Sequence, residues 1–309
     1  MDEGCGAPGL VLEWCATVLG PCEVASDRSR AHPGERAVAC RLRMPSGYCY
    51  VKTYRDPSHW HSEAHAYEQW APAFGGLAPR LLAVRDEEPL ALVIGELPGR
   101  VLEEVRLAAS QEREVWCAAG RALVALHDLA VGEYFGPSRR DGTSAGALIH
   151  DAREYVSADL EGWLERGARA GCLSADERAI VHAAHSLVPA FAGEPPVPCH
   201  RDYCPANWLV TGDGVLAGVI DWEFARWDVR VADLTRYPDW DWIGRPDRVE
   251  AFLDGYGRSF TPQEEQQRLV AHVQYALSAI VWGRENSYHG FAEEGQRALQ
   301  RLGVLLGRL

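Results

Sequence analysis

Lysine is almost missing from this chain. Of its 31 lysine and arginine residues, 30 are arginine, and the one lysine is Lys52. A sequence that uses arginine wherever a positive charge suffices keeps an ammonium where a planar guanidinium does not fit, so Lys52 is the first residue to explain. Long apolar runs are missing too. Nothing approaches the roughly 20 residues a membrane helix needs, and the acidic start Met1-Asp2-Glu3-Gly4-Cys5 lacks the basic segment of a signal peptide. The expectation is a soluble, cytoplasmic protein without a membrane partner. Net positive charge is absent: the balance is −13, which argues against a nucleic-acid surface and favours cationic ligands at long range. The nine cysteines are odd in number and form no C-x-x-C pair or His/Cys cluster, which points to reduced thiols rather than zinc.

Lys52 sits in Tyr48-Cys49-Tyr50-Val51-Lys52-Thr53-Tyr54. A compact ammonium can reach between phosphate oxygens and still pair with a carboxylate, so a phosphate site is the leading reading, against a chance survivor on an outward-facing strand. About 150 residues on, His200-Arg201-Asp202-Tyr203-Cys204-Pro205-Ala206-Asn207 matches the phosphoryl-transfer loop H-R-D-x-x-x-x-N position for position. In that chemistry the Asp orients an attacking hydroxyl and the Asn binds Mg²⁺, so a second metal-binding Asp must lie nearby. Trp208-Leu209-Val210-Thr211 and Val215 to Ile220 read as two strands around Gly212-Asp213-Gly214, a hairpin signal. With Thr211 opposite Val215, Asn207 pairs with Val219, two residues from Asp221. The hairpin then delivers an amide and a carboxylate to one open end, the hard oxygen donors that Mg²⁺ prefers.

With Lys52, Asp202, Asn207 and Asp221 in this order, the chain resembles the aminoglycoside phosphotransferase and choline kinase-like group of small-molecule kinases. The resemblance runs from about Val24 to Leu306. Its specific motifs are the catalytic loop and Ile220-Asp221-Trp222-Glu223, joined by Leu126-His127, Leu97-Pro98-Gly99 and Asp233-Leu234. It implies an α+β, bilobal protein kinase-like fold, with an N-terminal five-stranded antiparallel sheet plus helix and a larger, mainly helical C-terminal lobe. It implies ATP as donor, with GTP the alternative, and Mg²⁺. Asp202 would be the catalytic base, Asn207 and Asp221 the metal ligands, and Lys52 the ligand of the α- and β-phosphates. Glu223 would support a second metal or the hairpin, or face the acceptor. No G-x-G-x-x-G precedes Lys52 and no Ala-Pro-Glu follows Asp221, so the acceptor implied is a small molecule rather than a protein. Ser26, Ser29 and the backbone amides of the loop before Lys52 are the candidates for covering the phosphates.

The flexible stem of Lys52 needs a partner. In the predicted helix from Ser58 to Phe74, Trp60, Glu63, Tyr67 and Trp70 recur at helical spacing. A carboxylate in an apolar stripe wants a cation, so Glu63 is preferred over Glu68, which lies on the Ala64 and Ala71 face. An opening helix over Leu10 to Leu19 precedes strands at Pro21 to Ala25, Ala37 to Met44 and Gly47 to Arg55; Arg80 to Arg85 and Leu90 to Glu96 complete the sheet. From Gln111 the pattern is helical, which divides the chain into a nucleotide-binding lobe, 1–96, and a catalytic and acceptor-binding lobe, 97–309. Adenine is expected against backbone groups of Glu96 or Leu97.

Helices are predicted near Gln111 to Leu129, His150 to Ala170, Ala175 to Ala192, Arg248 to Arg258, Pro262 to Tyr288 and Glu293 to Leu306. In the resembled family such helices form the acceptor pocket, whose wall would carry Trp222, Trp227, Asp239, Trp240, Asp241, Trp242, Trp282 and Glu285. Acids beside aromatic rings suit an amine-bearing or sugar-like acceptor, although eleven tryptophans in one chain are mostly core. Gly142-Thr143-Ser144-Ala145-Gly146 fits the hydrolase pattern G-x-S-x-G, but a polar segment and not a strand precedes it, so it reads as a surface loop. His200, His127 and Asp233 read as structural supports. The acceptor expected is an antibiotic of aminoglycoside, basic-peptide or nucleoside type, inactivated by a resistance kinase. The alternatives are a metabolic kinase of choline, an amino alcohol or a sugar, and a nucleotide-binding pseudokinase. Either a monomer or a homodimer is compatible with the sequence.

Overall fold

Successive side chains of a strand alternate between its faces, so in Cys49-Tyr50-Val51-Lys52 the two apolar residues share one side and the lysine takes the other. Cys49 and Val51 are fully buried. The computed structural model describes residues 9–27, 37–235 and 244–307. Its first elements are α1 (Gly9–Leu19), β1 (Glu23–Asp27), β2 (Ala37–Met44), β3 (Gly47–Tyr54), α2 (Pro57–Gln69), β4 (Leu81–Arg85), β5 (Ala91–Gly95) and β6 (Arg100–Val101). There follow α3 (Ala109–His127), α4 (Ala152–Arg169), α5 (Ala175–His185), β7 (Val197–Cys199), β8 (Trp208–Val210), β9 (Leu216–Val219) and β10 (Arg226–Asp228). The last are α6 (Pro246–Tyr256), α7 (Pro262–Glu285) and α8 (His289–Leu306). The described residues form two compact units: one runs up to Val115 and adds Pro137–Ala145 and Pro205–Arg226, and the other takes Trp116–Gly136, Gly146–Cys204 and Trp227 onward.

In the first unit five strands lie in the order β1-β2-β3-β5-β4, each pair antiparallel. Val11 and Cys15 of α1 pack on Cys40, Leu42, Cys49, Val51 and Val93, an apolar face that excludes water from that side of the sheet. Helix α2 starts at Asp56, whose side chain accepts the Ser58 N–H, with Pro57 setting the first helical turn. Trp60 of α2 donates its indole N–H to the Ala91 carbonyl at 3.3 Å, which ties the helix to β5. The helix predicted to reach Phe74 ends at Gln69, because Pro72 has no N–H with which to continue it; the chain goes on as a 3₁₀ turn, Ala71–Phe74. A second small sheet runs β6-β8-β9. Gly99 enters it at φ 104°, and a Cβ there would stand 2.6 Å from the Val210 carbonyl oxygen, so only glycine permits this approach.

The second unit buries Val156 and Leu160 of α4, Val181 of α5, Leu277 and Ile280 of α7 and Leu299 and Leu302 of α8 in one core. Three of its helices start on side-chain caps: Asp151 on α4, and Ser174 with Glu177 and Thr261 with Glu264 as reciprocal boxes on α5 and α7. Helices α3 and α6 approach at a pair of glycines. A Cβ on Gly120 would lie 2.1 Å from the Phe252 carbonyl oxygen, and one on Gly255 would lie 1.8 Å from that of Cys117. No described helix is long and apolar enough to cross a membrane.

His272 of α7 is an exception within this core. It is 1% exposed, and neither ring nitrogen has a hydrogen-bond partner among the described residues. Burial, helped by the nearby Arg268 charge, holds its pKa well below the ordinary histidine value. His272→Leu, similar in volume and free of unsatisfied nitrogens, should stabilise the protein by about 1–2 kcal/mol near pH 8. The unfolded chain takes up a proton at His272 below about pH 6.5 and the folded chain does not, so the advantage of the variant should widen as pH falls towards 5.5. Thermal melts of both proteins across that range check this; a lower midpoint for the leucine variant would refute it.

Candidate active site

The hairpin of β8 and β9 carries two of the expected site residues. Thr211 N–H donates to the Val215 carbonyl at 2.9 Å, the turn pairing expected from the sequence. Ala217 is then an extra residue on β9: Val210 faces Leu216, but Leu209 faces Gly218 and Trp208 faces Val219. This bulge shifts the register, so Asn207 meets Ile220, whose N–H donates to the Asn207 carbonyl at 3.0 Å, and not Val219. Asn207 is thereby one residue nearer to Asp221 than a plain count gives. Asp221 itself adopts φ 69°, a left-handed conformation that costs about 1 kcal/mol or more in a non-glycine residue. Trp222 anchors that turn. It is fully buried, its ring stands edge-on to Phe74 with centroids 4.9 Å apart, and its N–H donates to Val219 O at 3.3 Å. The acceptor-wall expectation for Trp222 is therefore corrected: its ring is core. Trp227 is likewise packed, against Gly132, where a Cβ would lie 2.6 Å from the indole.

Lys52 occupies the face of β3 opposite α1. Its ammonium lies 2.7 and 3.0 Å from the two carboxylate oxygens of Glu63, 2.8 Å from Asp221 Oδ1 and 3.8 Å from Glu223 Oε2. Glu63, on α2, is fully buried and also accepts the Tyr54 hydroxyl proton at 2.5 Å. Burial alone would strip Lys52 of its proton, but Asp221 and Glu63 outweigh it and hold the pKa well above the ordinary lysine value. Burial raises the Glu63 pKa, with Lys52 acting against it. Glu68, the other candidate partner, pairs with Arg140 at 2.8 Å instead. Glu223 stands with Glu63 and Asp221 beside the ammonium and not apart with an acceptor wall. These three carboxylates have oxygens within 4.8 Å of one another. Three negative charges around one ammonium leave an excess that a further cation would balance, and hard oxygen donors suit Mg²⁺.

The second unit holds the other half of the motif. Asp233, fully buried, accepts the N–H groups of His200 at 2.9 Å and Arg201 at 2.5 Å. His127 Nε2, 3.1 Å away, completes its shell, and the Tyr256 hydroxyl meets His127 Nδ1 at 2.7 Å. Burial works against the charge of Asp233, but these donors prevail and keep it ionised below the usual carboxylate range; burial lowers the His127 pKa. The two amides aimed at Asp233 account for Arg201 at φ 69°. The Arg201 guanidinium lies 3.3 Å from the buried Asp228, to which Tyr155 also donates at 3.0 Å. Asp202 then emerges nearly buried, its N–H donated to His200 Nδ1 at 3.2 Å and one carboxylate oxygen 3.6 Å from the Cys204 thiol. Sequence reasoning missed Asp228, Tyr155 and Tyr256. The only signal was a second aspartate seven residues after Asp221.

Other expected residues find different partners. The Glu96 carboxylate is gripped by the Arg41 guanidinium at 2.7 and 2.8 Å and by the Tyr50 hydroxyl at 3.1 Å, while its N–H donates to Tyr48 O. Leu97 follows it and packs over Gly218. On α7, Trp282 packs edge-on to Phe291 and Tyr288, and Glu285 pairs with Arg166 at 2.5 Å. Ser29, Asp239, Trp240, Asp241 and Trp242 lie outside the described residues. The Gly142 to Gly146 segment forms no nucleophile elbow: Ser138 and Ser144 bridge a short turn.

A model of the phosphotransferase enzyme family matches residues 41–268, well over half of the chain. The chain belongs to the phosphotransferase enzyme family. Solved structures similar to this phosphotransferase include a thermostable mutant of aminoglycoside phosphotransferase APH(4)-Ia in ternary complex with AMP-PNP and hygromycin B (TM-score 0.71, 15% identity, 94% of this chain and 97% of that one). Another is the GDP and kanamycin complex of APH(2")-IIia (TM-score 0.70, 14% identity, 96% and 98%). A third is a protein of Thermobifida fusca assigned as a fructosamine-3-kinase (TM-score 0.64, 20% identity, 95% and 100%). At such identities the likeness shows the fold, which is protein kinase-like. Among curated proteins, glutamyl-tRNA reductase of Micrococcus luteus is 37% identical over 118 residues, which are 38% of this chain and 25% of the reductase; the chain spans about a quarter of that relative's length. By family, the protein is a phosphotransferase.

Lys52→Met tests the ion-pair cluster without any ligand. Removing the ammonium leaves Glu63 buried with a charge facing Asp221, which should cost about 3–5 kcal/mol of stability near pH 8. In the variant the folded-state pKa of Glu63 lies above its unfolded value, so protonation favours the folded chain and acidification to pH 5.5 should recover part of the loss. A thermal midpoint that falls no further than for an exposed substitution, or a loss that deepens with acid, would contradict the arrangement.

Proposed function

We propose that this phosphotransferase moves the γ-phosphoryl group of ATP, with GTP the alternative donor, to a hydroxyl of a small molecule. The observation that carries the reading is the position of the sole lysine, buried between Glu63 and Asp221 on the face of the sheet away from α1. Lys52 would engage the α- and β-phosphates, and the backbone of Leu97 would meet the base, since the Glu96 N–H is already bonded to β3. Asn207 and Asp221, brought together by the bulged hairpin and supported by Glu223, would hold Mg²⁺, which supplies charge neutralisation at the phosphates when bound. Asp202 orients the acceptor hydroxyl. Its oxygen forms a bond to the γ-phosphorus, the bond to the bridging oxygen of the leaving diphosphate breaks, and the proton passes late to the Asp202 carboxylate. Positioning and charge neutralisation then account for most of the rate.

For the acceptor we favour an aminoglycoside-type antibiotic. Hygromycin B and kanamycin occupy two of the similar structures, and a chain charged −13 attracts polycations. The likeness to the Thermobifida fusca protein supports a second reading, a metabolic kinase of an amine-bearing sugar. Mass spectrometry of a pooled panel of aminoglycosides, basic-peptide and nucleoside antibiotics, choline and amino sugars, incubated with enzyme and Mg²⁺-ATP, should reveal one class gaining a single phosphate. On that acceptor Asp202→Asn should lower transfer by about 100-fold or more while nucleotide affinity holds. Asp221→Ala should weaken binding of Mg²⁺-nucleotide itself. Retained turnover in the first variant, or unaltered affinity in the second, counts against the assigned roles.

A further inference from the structure

The Gly/Ser segment that mimics a hydrolase motif has a different use. Pro137–Ala145 belongs to the first unit, although its sequence lies between α3 and α4. It is a turn held by its own hydrogen bonds: Arg139 N–H donates to Thr143 O at 2.7 Å, Ala145 N–H to Pro137 O at 2.9 Å, and the Asp141 carboxylate accepts the Thr143 N–H and hydroxyl at 3.0 and 2.7 Å. Arg140 projects from it onto α2. Its guanidinium grips the Glu68 carboxylate through Nε at 3.1 Å and Nη2 at 2.8 Å and reaches Asp86, after β4, at 3.5 Å. Its backbone N–H donates to His61 Nδ1, and its carbonyl accepts from His65 Nδ1, both at 3.3 Å. At 100° per residue, His61, His65 and Glu68 share one face of α2, and Glu63 lies about 140–160° away on the other.

We propose that Arg140 is a positioning residue for phosphoryl transfer, fixing the rotation of α2 so that Glu63 stays against Lys52. The inference rests on Lys52 being the phosphate-binding ammonium. Lys52 has two near-equal partners, Glu63 at 2.7 Å and Asp221 at 2.8 Å. If α2 turns outward, the ammonium follows Asp221, the carboxylate the reaction needs for its metal. With α2 clamped, the Glu63 side of the contest is fixed and Asp221 can leave. The site therefore depends on a side chain that touches neither nucleotide nor acceptor.

A double-mutant cycle on the full chain tests this, read as calorimetric affinity for Mg²⁺-AMP-PNP in the wild type, Arg140→Ala, Glu63→Gln and the double variant. Each single change should weaken binding about tenfold, and the double should be little worse than either, because both act through one contact. Amide exchange within α2 should quicken in Arg140→Ala. Arg140→Lys, a point charge without the fork, should recover only part of the loss. Should Arg140→Ala lower the thermal midpoint so far that binding cannot be read, Glu68→Gln at the half-exposed end of the clamp gives the same cycle. Additive losses, or a loss in Glu63→Gln with none in Arg140→Ala, would overturn the positioning role and leave the reading of Lys52 standing. Unchanged affinity in Glu63→Gln would overturn both.

Discussion

A buried ammonium is costly to remove from water, by several kcal/mol even after the protein relaxes around it. The first unit meets that cost at Lys52 by directing three carboxylates to one point, from α2 and from the residues after β9. Each supporting element then has a geometric duty. The Asp56 and Pro57 start and the Trp60 bond hold α2 on the sheet, the Ala217 bulge sets the hairpin end, and Trp222 pins the left-handed turn at Asp221. Little of this adds net stability, since a well-packed apolar cluster would serve the fold as well. What it gives is an ammonium and a carboxylate held ready for an exchange of partners.

The second unit uses the inverse arrangement. Asp233 is a buried carboxylate surrounded by donors, two of them backbone amides of the catalytic loop. Those amides point at one carboxylate only if Arg201 takes a left-handed conformation, so the backbone strain there is a consequence of satisfying Asp233. The strain in turn sets the direction in which Asp202 leaves the loop. His127, itself fixed by Tyr256, completes the cage.

Most of the sheet was legible because its signals are local. The turn at Pro45-Ser46 placed β2 and β3 to within a residue, and the apolar face of α2 carried Glu63 in the right phase. The hairpin was legible up to its bulge, which leaves no mark in Leu216-Ala217-Gly218-Val219 because both registers bury apolar residues. Trp222 was misread for a similar reason: an aromatic ring beside acids looks alike on a pocket wall and in a core, and only its contacts with Phe74 and the Val219 carbonyl separate the two. Arg140 and Asp228 were invisible because their partners lie 72 and 27 residues away in sequence, at Glu68 and Arg201, and long-range ion pairs have no period.

The single lysine also defines the protein's outer chemistry. With Lys52 only 8% exposed, the folded surface carries no lysine side-chain amine at all. Acylating reagents, amine cross-linkers and the enzymes that attach acetyl groups or small proteins to lysine therefore find no ε-amino group outside the interior ion pair. A compound that did acylate this chain at lysine would report, by that fact alone, that it had entered between Glu63 and Asp221.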